Sequence, residues 1–172
     1  MGGDAQLRLF VYGTLKRGFE NHRKLCQGVR SVEAAEIRGK LYVLPAGYPA
    51  LVIPKAAILS LGTADAAADV ASQFRLQGEV NAGPRSADDP AGYVPGLDRV
   101  QGEILIFDDG ALRLPKFDHL ENFRPGRQSA YLRVLAQVFA RRSQDPVVSW
   151  VYVMSDPGPR AMRLRGGRWP EG

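Results

Sequence analysis

Cysteine and histidine are nearly missing from this chain, and their scarcity removes several kinds of chemistry at once. Cys26 is the single cysteine, so there is no intrachain disulfide. The two histidines, His22 and His119, form no cluster with it at metal-ligand spacing, and no metal or cofactor is expected. Nor does any of the three have an evident orienting partner for a nucleophile triad. Long apolar runs are missing too, which excludes a spanning helix and a membrane partner. The opening Met1–Gln6 has neither a basic start nor an apolar stretch after it, so no secretory signal is expected. Together these point to a cytoplasmic protein.

Lysine is also scarce. Of 23 basic residues 18 are arginine, and the formal charge is +5. Arg160, Arg163, Arg165 and Arg168 crowd the end of the chain, yet Trp169 is the tail's single aromatic residue. A single-strand binder interleaves stacking residues with its cations, so the excess reads as a solvated surface and no nucleic-acid partner is expected. With 172 residues, 45% of them hydrophobic and 24% charged, the chain can build one compact domain with a real core.

Most of the periodicity is of strand type. Leu7–Val11, Lys40–Leu44, Arg99–Phe107, Tyr131–Phe139 and Val147–Met154 are rich in β-branched, aromatic or alternating residues between turn signals. A short helix is expected over Phe19–Cys26. A second is expected over Pro115–Glu121, beginning at the proline because a first turn tolerates it. Phe117, Leu120 and Glu121 then fall at i, i+3 and i+4, which sets the carboxylate at the edge of the core. Within 54–98, an alanine-rich stretch from Thr63 to Phe74 reads as a helix with Thr63 as its N-cap. Gly78–Gly96 follows as an irregular loop rich in glycine and proline. The last residues, 157–172, form a basic tail, either mobile or packed on an edge.

The most telling segment is 8–18, Arg-Leu-Phe-Val-Tyr-Gly-Thr-Leu-Lys-Arg-Gly. An apolar strand running into a glycine turn exposes backbone N–H groups, and such a loop can hold an anion or a developing oxyanion. Tyr12 adds a hydroxyl at its edge.

Val11 to Gly18, followed by Asn21-His22 and Leu25, resembles the opening signature of the gamma-glutamylcyclotransferase-like superfamily, in the branch of the gamma-glutamylamine cyclotransferases and their bacterial relatives. Three more segments match in order. Gly39-Lys40-Leu41-Tyr42 with Gly47-Tyr48-Pro49-Ala50-Leu51 is similar to the second strand and the tyrosine-proline turn. Val100-Gln101-Gly102-Glu103-Ile104 is similar to the central strand. Phe117-Asp118-His119-Leu120-Glu121, then Tyr131-Leu132-Arg133-Val134, is similar to the acidic helix and the Tyr-x-Arg strand. The likeness covers roughly residues 7–53 and 99–153. It implies an α+β fold, a small mixed barrel-like β-sheet with short flanking helices, in a single domain spanning 1–172. The stretch 54–98 would be an insertion, either a lid or recognition element or a surface excursion.

The resemblance also implies a reaction. In that family the α-amine of a γ-glutamyl group attacks its own γ-carbonyl, expelling an amine and leaving 5-oxoproline. The partner would be a small γ-glutamyl substrate. Five-membered ring closure already supplies much of the proximity advantage. What remains is a base for the α-amine, an acid for the departing nitrogen and donors for the oxyanion. Glu121 matches the catalytic glutamate. Tyr12, Gly13, Thr14 and Leu15 match the substrate loop. Tyr48 lines the pocket or belongs to the core, and Tyr131 borders the site. Lys16 or Arg17 would add charge for a carboxylate or remain solvated, Asp118 would support its helix or pair with an arginine, and His22 would fix a helix against the loop. Two departures stand out. Phe117 replaces a leucine, and Asn122 replaces the glycine after the acid, where asparagine can take the same left-handed conformation. The alternative is a non-catalytic binding module on this fold, which an insertion filling the pocket would favour.

Overall fold

β1 (Leu7–Val11) has an apolar side chain everywhere but Arg8, as expected of a strand covered on both faces. Leu7, Leu9 and Val11 face one apolar cluster while Phe10, with Tyr12 just beyond the strand, faces a second. The computed structural model describes residues 6–84 and 94–171. Residues 85–93 of the expected Gly78–Gly96 loop therefore lie outside the described residues.

Five strands close into a mixed barrel. β1 pairs antiparallel with β5 (Asp98–Phe107), and β5 pairs antiparallel with β2 (Ser31–Val43). β2 meets β6 (Tyr131–Ala140) at Ala35 and Glu36, and β6 pairs antiparallel with β7 (Pro146–Met154). The ring closes through a parallel contact of β7 with β1, Leu9 opposite Trp150. Alternation then sorts the side chains. Phe10, Ile37, Ile104, Val134, Ala136, Val138, Val151 and Val153 fill the interior, which in a barrel this narrow leaves no channel. Gly102 is required at this packing density, since a Cβ there would lie 2.3 Å from the Val11 carbonyl and 2.6 Å from the Phe10 ring. The far half of β2 carries β3 (Pro49–Val52) and β8 (Met162–Arg163), and β4 (Ser60–Leu61) lies along β6.

Among the described residues three α-helices accompany the barrel: α1 (Glu20–Leu25), α2 (Ala66–Ala82) and α3 (Gly110–Leu120). None is long and apolar enough to cross a membrane among the described residues. α3 starts five residues before the expected Pro115, which sits on the exposed face mid-helix and forfeits one backbone bond there. α2 runs on past Phe74 to Ala82, and its cap is Asp65, whose carboxylate accepts from the Ala68 N–H at 3.0 Å. Thr63 instead donates its hydroxyl to Asp69 at 2.9 Å and its backbone N–H to the same carboxylate at 2.8 Å.

α2 completes the barrel seam. Gln73, fully buried, accepts from the Arg8 N–H at 2.8 Å and donates to the Gln6 carbonyl at 3.0 Å. Gln77 accepts from the Val148 N–H at 2.7 Å and donates to the Pro146 carbonyl at 3.1 Å. Side-chain amides thus satisfy backbone groups of β1 and β7 beside their short parallel contact.

A buried arginine locks the helices to the sheet. Arg133 of β6 is 1% exposed. Its Nε and Nη2 donate to both oxygens of Asp118 on α3, at 2.8 and 3.2 Å. Its Nη1 donates to Asp69 of α2 at 2.9 Å, and Nη2 also reaches the Thr63 carbonyl at 3.0 Å. The guanidinium lies 4.7 Å from the Trp150 ring centroid and 5.4 Å from that of Phe123. Removing the cation strands two buried acids, whereas removing one acid leaves a balanced pair. Arg133→Met is therefore expected to cost roughly 3–5 kcal/mol, and Asp69→Asn roughly 1–2 kcal/mol. Urea unfolding at neutral pH measures both, and equal losses would contradict the ordering.

Candidate active site

β1 delivers the chain into a loop whose turns are set by Lys16 N–H donating to the Gly13 carbonyl at 3.1 Å and Phe19 N–H to the Lys16 carbonyl at 3.3 Å. The amides of Gly13, Thr14 and Leu15 donate to no backbone carbonyl among the described residues. Two α1 side chains hold the loop in place. Asn21 Nδ2 donates to the Thr14 hydroxyl at 2.9 Å, and His22 Nδ1 lies 2.7 Å from the Leu15 carbonyl. A carbonyl only accepts, so Nδ1 of His22 carries the proton. Gly13 lies against the β2–β3 turn, where a Cβ would come within 2.7 Å of the Pro49 ring.

That loop forms one wall of a cleft of about 530 Å³. The β2–β3 turn adds Leu44, Tyr48 and Pro49 to the lining; the end of α3 supplies Leu120, Glu121 and Asn122, and the strands supply Tyr131 and Tyr152. Every expected site residue, Tyr12, Gly13, Thr14, Leu15, Tyr48, Glu121 and Tyr131, lines this one cleft. Tyr48 is 58% exposed, so it belongs to the rim and not to the core. Lys16 and Arg17 do not line it. Arg17 pairs with Glu103 through its backbone N–H at 2.9 Å and its Nε at 3.4 Å, and the Lys16 ammonium is held by the Trp169 carbonyl. His119 faces a separate cavity that it shares with Pro115 and Phe123. Burial pushes the Cys26 thiol up to about 11, far from thiolate reactivity.

Glu121 is the C-cap of α3, its backbone N–H bonded to the Phe117 carbonyl at 2.9 Å. The following Asn122 has a φ of 52°, the left-handed conformation in which asparagine replaces glycine at a helix end. The Glu121 carboxyl has no hydrogen-bond or ionic partner among the described residues. Burial alone raises its pKa from 4.5 to about 7.

Three tyrosines surround it with their hydroxyls committed elsewhere. Tyr12 donates to the Tyr152 carbonyl at 2.7 Å and accepts from the Leu51 N–H at 3.3 Å, so its hydroxyl braces the strands and leaves only its ring to the cleft. Tyr131 donates to the Pro49 carbonyl at 2.8 Å, tying β6 to the turn. Tyr152 donates to Asp118 at 2.7 Å. Burial, with the charge of Glu121 second, pushes Tyr131 up to about 12. Burial raises Tyr12 and Tyr152 as well. The phenols thus stay protonated while Glu121 titrates near neutrality.

Asn21, Asn122 and Tyr152 also line the cleft, although the sequence did not single them out as site residues. The Asn21-His22 pair already marked α1, and Tyr152 was legible only as one face of an alternating strand. No described residue of 54–84 or 94–98 lines the cleft. The described part of the stretch expected as an insertion therefore neither covers nor fills it.

A carboxyl whose pKa rises on folding binds its proton more tightly folded than unfolded, so its contribution to stability is lost as pH climbs from 4.5 through about 7. A shift of that size corresponds to on the order of 3 kcal/mol. Glu121→Gln removes the charge but keeps the shape. The variant is expected to melt above the wild type at about pH 8, with the gap closing towards about pH 4.5. Thermal melts at the two pH values check this, and a gap independent of pH would contradict the burial of an ionised Glu121.

The family described as gamma-glutamyl cyclotransferase, AIG2-like, matches residues 9–64 and 65–171. Among solved structures, the fold is similar to YkqA of Bacillus subtilis, with 20% identity and a TM-score of 0.52 over 95% of this chain, which spans 39% of YkqA. A protein of Arabidopsis thaliana is 13% identical with a TM-score of 0.51, over 90% of this chain and 72% of that one. An AIG2-like protein of Mus musculus is 21% identical with a TM-score of 0.47, over 90% and 80%. Among curated proteins none matches in sequence. The likenesses to YkqA and to the Arabidopsis protein bear on the fold alone, and membership follows from a match along nearly the whole chain: this protein belongs to the AIG2-like gamma-glutamyl cyclotransferase family.

Proposed function

We propose that the chain is a cytoplasmic gamma-glutamyl cyclotransferase that converts a small γ-glutamyl amine or γ-glutamyl peptide into 5-oxoproline and the free amine, with no metal or cofactor. The observation that carries this reading is the unpartnered Glu121, poised at about 7 inside a cleft that is also lined by backbone amides without a backbone acceptor. A substrate α-ammonium has a pKa of about 8, close enough for efficient proton exchange with such a carboxylate.

Glu121 takes a proton from the α-ammonium, and the freed amine attacks the γ-carbonyl. The Gly13–Leu15 amides stabilise the oxyanion or hold the α-carboxylate. As the γ-carbon to nitrogen bond breaks, Glu121 returns its proton to the departing nitrogen. The ring nitrogen sheds its second proton to solvent and the released amine takes one up, so the reaction balances without a co-reactant. Tyr48 and Tyr131 flank the substrate with ring surface.

The test is 5-oxoproline release from a panel of γ-glutamyl-ε-lysine, γ-glutamyl dipeptides, glutathione and γ-glutamyl alkylamines. Glu121→Gln is expected to lower kcat by about 10²–10⁴-fold on the preferred substrate. The wild-type kcat/KM is expected to fall on the acid side of about 7, as Glu121 becomes protonated. It should fall again above about 8, where the substrate amine has already lost the proton that Glu121 must pass on. Release that persists in Glu121→Gln, or none from any substrate with folded wild type, overturns the reading.

A further inference from the structure

The C-terminal segment is fastened to the barrel and then reaches both the loop after β1 and the β2–β3 turn, two segments that line the cleft. Leu164 is buried and donates its N–H to the Leu41 carbonyl at 2.8 Å; the Gly167 carbonyl accepts from the Gln101 N–H at 2.7 Å, and Arg168 reaches the Gln101 side chain at 2.8 Å. These bonds to β2 and β5 deliver Trp169 to a fixed place. There its indole N–H donates to the Gly47 carbonyl at 3.2 Å, within the turn that carries Leu44 and Tyr48. Its ring stacks on Phe19 with centroids 5.4 Å apart and planes at 29°, and its carbonyl accepts from the Lys16 ammonium. Phe19 and Lys16 close the Gly13–Leu15 loop.

We propose that Trp169 is a positioning residue for the cleft: one side chain outside the lining joins the amide-bearing loop to the Leu44–Tyr48 turn and holds the two walls at their substrate-binding separation. The role of the cleft rests on the reaction proposed above, while the clamp itself does not. Each wall has local bonds of its own but is the end of a separate element. Gly13 approaches Pro49 at one place, and the Tyr12 hydroxyl accepts from the Leu51 N–H at 3.3 Å just past the turn; the tryptophan adds the link from Phe19 and Lys16 to Gly47. A clamp of this kind acts on binding, because it fixes in advance the geometry that substrate would otherwise have to impose. Glu121 hangs from α3, with which Trp169 shares no hydrogen bond or ring contact among the described residues, so the proton transfer itself is left alone.

Trp169→Ala and Trp169→Phe separate the parts of the clamp, since phenylalanine retains stacking but loses the bond to Gly47. On the preferred γ-glutamyl substrate, Trp169→Ala is expected to raise KM about tenfold with kcat held within about twofold, and Trp169→Phe to fall between it and wild type. Amide hydrogen exchange tests the clamp without any turnover. The Lys16, Phe19, Leu44 and Gly47 amides, each bonded within its own wall, should exchange faster together in Trp169→Ala while β5 and β6 keep their protection. Wild-type exchange in these walls overturns the proposal, as does a loss of kcat at unchanged KM. Faster exchange throughout the barrel overturns it too, since Trp169 would then be a stabilising residue only. If the wild type turns over no substrate, the proposed reaction fails and the exchange pattern alone decides the clamp.

Discussion

Arg133 is the constraint on which the arrangement of this protein turns. A guanidinium taken wholly out of water is tolerable only with full hydrogen bonding, and here two carboxylates from two helices and a backbone carbonyl provide it. The gain over an apolar replacement of the whole cluster, cation and both acids together, is small in stability, but the geometry is demanding. The bidentate fork to Asp118 fixes the rotation and height of α3 on the sheet, and Glu121 is the residue at which that helix ends. The same Asp118 accepts from Tyr152, and the Tyr152 carbonyl accepts from Tyr12. Placement of the acid and of the strand that feeds the amide loop thus descends from one buried cation.

Asp118 and Glu121 show how position on a helix decides the chemistry of a carboxylate. They are three residues apart, and both are largely removed from water. Asp118 meets Arg133 and Tyr152, which give it three hydrogen bonds. Glu121 meets tyrosine rings whose hydroxyls point elsewhere, and burial without compensation holds its proton up to about 7. Pairing one acid while isolating the other separates a structural charge from the one proposed to react.

The parts of this design that are local were legible in the sequence, and those that are not local were not. The apolar β1 running into Gly13, the i, i+3, i+4 placement of Glu121 and the left-handed Asn122 each follow from a few neighbouring residues. The resemblance of four ordered motifs supplied the barrel. β2 was legible only at its end, because Ser31–Gly39 is rich in alanine and glutamate and becomes a strand through its ladder with β5. Pro115 pointed to the wrong helix start because its cost is met on an exposed face. Gln73, Gln77 and Asp69 carry no mark of their partners in the sequence. Their work is at a barrel seam and a buried arginine far away in sequence, and no periodicity reports a partner at that distance.

A cation in the cleft would assist binding of a substrate carboxylate but spoil the proposed base. An opposite charge within about 4–6 Å favours the ionised form of an acid by one to three pKa units, which would return Glu121 to its ordinary value and weaken its exchange with an amine. Backbone amides avoid the conflict, because their partial charges are fixed by the loop and aim where the chain aims them. The two cations beside the loop are correspondingly held away. Arg17 is drawn to Glu103, and Lys16 to the carbonyl of the same Trp169 that joins the walls. The tail therefore acts on the cleft twice, once through its ring on the separation of the walls and once through its carbonyl on the charge between them.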